Sequence, residues 1–74
     1  MKCDQEKIDH MVLALMYLGL HDENRGWKTF DWDSLNRLFE HGFISNPMSK
    51  AKSVILTVEG KKKSEELFKK YFCY

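Results

Sequence analysis

The spacing of hydrophobic positions changes along this chain, and each change predicts an element. Near the start, Ile8, Met11, Val12 and Leu15 fall at i, i+3, i+4 and i+7, the stripe of a helix with one face in a core. Asp4 is placed to cap that helix, and Glu6 and Asp9 suit the positive end of its dipole, so it is expected over residues 4–20. A second stripe, Leu13, Met16, Tyr17 and Leu20, runs along the same segment. The C-terminal half is therefore apolar nearly all round, which predicts burial on two sides. In so short a domain, one of those sides is expected to be another subunit. The unbroken apolar run from Met11 through Leu20 is ten residues, half of the roughly twenty needed to cross a bilayer, so it reads as a buried helix.

Residues 21–29 form a polar connector. Asn24-Arg25-Gly26 reads as a turn, and Trp27-Lys28-Thr29-Phe30 as a short extended segment leaving it. Asp31 can cap a second helix, with Trp32, Leu35, Leu38 and Phe39 on one face and Gly42 as the left-handed stop. The period then shortens. Phe43-Ile44 is an apolar step, Ser45-Asn46-Pro47 a turn, and Ser53-Val54-Ile55-Leu56 a β-branched run. The two apolar pieces are expected to pair as a hairpin with residues 46–52 at its polar tip. Thr57 ends the strand and caps the last helix, where Ser64, Leu67, Phe68, Tyr71 and Phe72 share a face opposite the lysines. The predicted architecture is one small α+β domain over residues 1–74: long N-terminal helix, second helix, β-hairpin wing and C-terminal helix.

A chain of 74 residues buries only roughly 60% of its unfolded surface, so a staple is expected. The two cysteines, Cys3 and Cys73, stand near the ends; a bridge needs the termini to meet, and nothing in the sequence requires one. With so few cysteines and no signal-peptide pattern, free thiols and a cytoplasmic setting are expected. Cys3, His10, His21, Asp22, Glu23 and His41 include no pair at a zinc-knuckle or His-x-x-x-His spacing, so neither metal nor other cofactor is expected. Self-association is left as the staple.

Helix, glycine-terminated helix, basic hairpin and a Leu-Thr-x-Glu-Gly helix opening come in an order that resembles winged-helix domains. The matching residues are Leu35, Leu38, Gly42 and Ile44, then Lys50 and Lys52, then Leu56, Thr57, Glu59 and Gly60. One departure matters: between the first helix and Asp31 there is little room for the extra helix that completes a helix-turn-helix. Residues 27–33 (WKTFDWD), 41–47 (HGFISNP) and 50–54 (KAKSV) are similar to the blocks of a bacterial family of short uncharacterised proteins, a domain of unknown function. That resemblance implies a bacterial, stand-alone chain and transfers no activity and no site.

A winged helix that reads DNA presents its second helix to the major groove and its wing to the backbone. Here Asn36 and Arg37 are suitable base readers, yet Asp31, Asp33 and Glu40 place three carboxylates on or beside the helix of residues 32–41, against one arginine. Nucleic acid is therefore disfavoured on that face. Residues 1–37 carry a net −2 and residues 38–74 a net +3, so the wing and last helix form either a phosphate-binding side or a solvated lysine face paired with Glu59, Glu65 and Glu66. Phe30 and Trp32 are expected in the core. Trp27 is either core or an exposed anchor or stacking platform. No nucleophile–base pair or phosphate-cradling loop is visible, so an enzyme is not expected.

The leading expectation is a homodimeric, non-catalytic interaction module. Its interface would use Met11, Leu13, Met16, Tyr17 and Leu20 of the first helix with Phe68 and Phe72 of the last. The alternative is a small DNA-binding regulator using the helix of residues 32–41 and the wing. Trp27, Arg37, Lys50 and Lys52 are the candidate nucleic-acid or partner-binding residues, and no membrane contact is expected.

Overall fold

The computed structural model describes all 74 residues and shows a small α+β, winged-helix-like domain. Helix α1 spans Gln5–Leu18, strand β1 Arg25–Trp27, helix α2 Trp32–Glu40, strand β2 Ser53–Ile55 and helix α3 Val58–Phe72. Each helix begins where a side-chain oxygen can take an orphan amide. The N–H of Lys7 donates to Asp4 Oδ1 at 3.0 Å, that of Ser34 to Asp31 Oδ2 at 3.1 Å, and that of Gly60 to Thr57 Oγ1 at 2.9 Å. Helix α2 stops in a Schellman arrangement: Gly42 turns left-handed (φ +79°), its N–H reaches Phe39 O, and the Phe43 N–H reaches Leu38 O.

The sheet differs from the hairpin the apolar pattern predicts. Strand β2 pairs along its length with β1, antiparallel, with Arg25 opposite Ile55, Gly26 opposite Val54 and Trp27 opposite Ser53. The Ile44 side joins by a single bridge to Leu56, supported by the Ser45 N–H donating to Ile55 O. Arg25 and Gly26, read as a turn, are thus strand residues, and the turn falls earlier, at Asp22 and Glu23, both with positive φ. Gly26 belongs in the strand because the sheet crosses the core closely there. A Cβ on it would stand 3.2 Å from Leu56 Cδ1 and 3.4 Å from Met16 Sδ.

Helix α1 is the centre of the core, packed by α3, α2 and β1. Leu13, Ala14 and Met16 are sealed inside with Leu35, Leu38, Ile44, Val54, Leu56 and Leu67; Leu20, Phe30, Phe43 and Phe68 close the edges. Of the two apolar stripes on α1, the one that includes Leu13 and Met16 faces the core. Ile8 and Leu15, expected inside, are exposed. Trp32 and Phe39 are corrected likewise: α2 buries Ser34, Leu35 and Leu38 and leaves both aromatic rings about half open.

Helix α3 enters through the closest backbone approach made by any of the four glycines. Gly60 passes so near the Phe43 backbone that no Cβ fits, and Thr57 fastens the same loop by donating from its N–H to Phe43 O and from its hydroxyl to Gly42 O. Gly60→Ala is expected to cost about 2 kcal/mol, toward the upper half of ordinary overpacking losses, and so to lower Tm by roughly 10 °C in a domain of this size. Thermal unfolding followed by circular dichroism measures it, and an unchanged midpoint would show that this loop yields freely.

Candidate functional site

Three surfaces come out of this packing. The first is the outer face of α1. Once Leu13 and Met16 turn inward, Ile8, Met11, Leu15 and Leu18 are left in a line, with Leu18 70% exposed. Together with Cys3, Asp4, Lys7 and Val12, the first three border an open apolar groove of about 500 Å³. The spacing 8, 11, 15, 18 is that of alternating a and d positions in a heptad, the narrow seam by which one helix meets another. Neither α2 nor α3 lines the groove.

The expected interface residues divide on this geometry. Met11 borders the groove. Leu13 and Met16, at 0% and 1% exposure, have no surface to offer a partner, because their volume completes the protomer's own core. Tyr17 and Phe68 are half-buried, with ring centroids 5.3 Å apart, and Phe72 continues that cluster 5.6 Å beyond Phe68. Leu20 is half-buried against the core. Leu18 belongs to neither apolar stripe of the sequence, and Ile8 and Leu15 were expected inside; their heptad spacing is the signal that sets them apart.

The second surface is the join between α1 and α2. Arg37 holds Asp9 side-on, Nε to Oδ2 at 2.6 Å and Nη2 to Oδ1 at 3.0 Å, while Ser34 Oγ bridges Arg37 Nη2 and Asp31 Oδ2 at 3.4 Å each. Asp9 is buried, and its hydrogen bond, followed by its charge, raises the Arg37 guanidinium above its already high ordinary value. Arg37 is therefore spent on the fold. The exposed residues of α2 are Trp32, Asp33, Phe39 and Glu40, two aromatic rings and two carboxylates, and carboxylates repel phosphate.

The third surface is the open side of the sheet. With Gly26 and Val54 pointing into the core, alternation puts Arg25, Trp27, Ser53 and Ile55 on the other face. The Trp27 indole is 49% exposed and stacks on His21, centroids 4.1 Å apart and planes 21° from parallel. It lies over Gly19, the C-cap of α1, where a Cβ would be 3.6 Å from Trp27 Cδ1. Lys28 follows; its ammonium donates to Ser49 O at 2.7 Å and its N–H to Lys52 O at 3.2 Å, tying the end of β1 to the wing. Lys50 and Lys52 are exposed beside it. The structure thus places the wing backbone at Lys52 against Lys28, next to Trp27, and leaves Lys50 and Lys52 exposed, whereas Arg37 is held in the α1–α2 join.

Removing one member of the Asp9–Arg37 pair strands the other. Asp9→Ala is expected to cost about 2 kcal/mol, as for hydrogen bonds to a charged group, reduced from a fully buried pair because Arg37 is partly in solvent. A double-mutant cycle with Arg37→Ala in urea measures the coupling; additive losses would show that the pair contributes nothing of its own.

No helix is long and apolar enough to cross a membrane. No solved structure matches the chain. An uncharacterised protein, y4hR, of Sinorhizobium fredii (strain NBRC 101917 / NGR234) is 51% identical over 72 residues, covering 97% of each chain. That relative is bacterial, in keeping with the blocks read in the sequence. The model of the domain of unknown function DUF6429 matches residues 4–74, and the chain belongs to that family.

Proposed function

We propose that this chain is a non-catalytic interaction module that pairs with a second copy of itself through the outer face of α1. The observation that carries the reading is the a/d seam of exposed Ile8, Leu15 and Leu18 with half-buried Met11, spaced for a helix and left without one inside the protomer. A small-molecule site of similar volume would be walled by several elements and carry convergent polar groups; this groove is bordered by residues 3–15 alone. A second copy supplies what the seam lacks, an identical apolar line, and two-fold pairing lets one face serve as both partners. Pairing also answers the marginal stability of so short a chain, since it stabilises the folded form by mass action. The reading places the protein in the cytoplasm, in keeping with two exposed, unbridged cysteines.

Light scattering at high micromolar concentration is expected to return the mass of a dimer. Leu15→Lys with Leu18→Lys is expected to return a monomer with little change in Tm, because both side chains already face solvent. A monomeric wild-type chain, or a double variant that stays dimeric, would sink the reading.

A further inference from the structure

The charges are sorted by element. Residues 25–30 and 41–58, which supply the sheet and the wing, contain Arg25, Lys28, Lys50 and Lys52 and no aspartate or glutamate. Every one of the 11 acidic residues lies elsewhere, so this unit carries a net +4 and the rest of the chain a net −3. The overall balance of +1 conceals the division. The acidic pair Asp22 and Glu23 sits in the turn before β1, next in sequence to the His21 that stacks on Trp27.

An anion alone would need no aromatic ring here, and an apolar partner would need no lysines. Trp27 offers both requirements together: a half-open indole, braced from one side by His21, on the same sheet face as Arg25 and next to the Lys28–wing tie. We infer that the sheet face and wing bind single-stranded nucleic acid, with a base stacked on Trp27 and the neighbouring phosphates along Arg25, Lys50 and Lys52. Stacking on an exposed ring beside a basic track is the sequence-tolerant mode by which single strands are held. Duplex fits less well. Its bases are closed to Trp27, and the helix that would enter the major groove shows Trp32, Asp33, Phe39 and Glu40. An acidic peptide would meet the lysines but gain little from a flat indole.

The site is independent of the α1 seam, so it is tested on the full chain whatever its mass in solution. The Trp32→Phe variant leaves Trp27 as the single tryptophan, and oligothymidylate at low salt is the probe. Quenching of Trp27 emission is expected, and binding followed by the anisotropy of labelled oligothymidylate is expected to weaken on the order of tenfold with Trp27→Ala and to be largely restored by Trp27→Phe. Lys50→Ala with Lys52→Ala, both on the exposed wing, should lower the slope of log affinity against log salt by about 1.4. If Trp27→Ala does not fold, the wing variant and the quenching decide the matter. No binding of oligothymidylate at low salt overturns the inference. So does equal affinity for duplex of the same length or for polyglutamate, or an unchanged affinity in Trp27→Ala.

Discussion

Helix α1 is asked to satisfy more neighbours than one apolar face can serve, and the rest of the fold follows from how it divides them. Its Leu13, Ala14 and Met16 are covered almost completely, with α3, α2 and β1 all resting on the same helix. Ala14 is fully buried, and Met16 lies beneath Gly26, where the strand has no side chain to obstruct it. The Asp9–Arg37 pair then sets the rotation of α1 against α2, because a buried carboxylate has to find its cation. With the inner face assigned in this way, Ile8, Leu15 and Leu18 are left facing outward, with Met11 half-buried between them. The exposed seam is the remainder of the core, not a decoration added to it.

The polar groups obey a similar economy. No buried side-chain nitrogen or oxygen lacks a hydrogen-bond partner, and the acidic residues that hold a partner do so in two ways. Asp4 and Asp31 cap helices and Asp9 is paired within the fold, whereas Glu65 holds Lys69 at 3.0 Å on the surface of α3. That surface contact, chiefly its hydrogen bond and then its charge, raises the Lys69 amine above the usual lysine value. Such a raised base stabilises the fold fully below its ordinary range and loses that effect as pH rises through the raised value, well above neutrality. The exposed pair is in any case worth little. The sheet and wing have no carboxylates of this kind, so their cations are not answered by any acid in the same unit.

Much of the architecture was legible because it is decided locally. Asp4, Asp31 and Thr57 cap their helices, and Gly42 ends α2, through contacts that span only a few residues. What was not legible depended on distant partners. Both stripes of α1 are apolar, and nothing within the segment says that Asp9 needs Arg37, a residue 28 positions away. Trp32 and Phe39 have the spacing of core residues, but Ser34, Leu35 and Leu38 fill the space under α2. Gly26 looked like part of a turn because a glycine's use in close backbone approach shows only once Met16 is beneath it. Trp27 was undecided for the same reason: its exposure is settled by Gly19 and His21, which both contact the ring and are set by the fold.

The two proposed surfaces meet at Gly19. The seam runs the length of α1, about 20 Å for its 14 residues, and Trp27 lies over the residue that caps its C-terminal end. How two copies align therefore governs what their sheet faces can do together. Antiparallel helices would place the two Trp27 rings at opposite ends of the pair, so that a single strand must run the length of the dimer to touch both. Parallel helices would set the rings at the same end, within reach of a few nucleotides. In either case the second contact becomes intramolecular, and its effective concentration depends on the strand between the sites. A modest affinity at each Trp27 could then become a firm grip on a long strand, without any contact beyond those one protomer already presents.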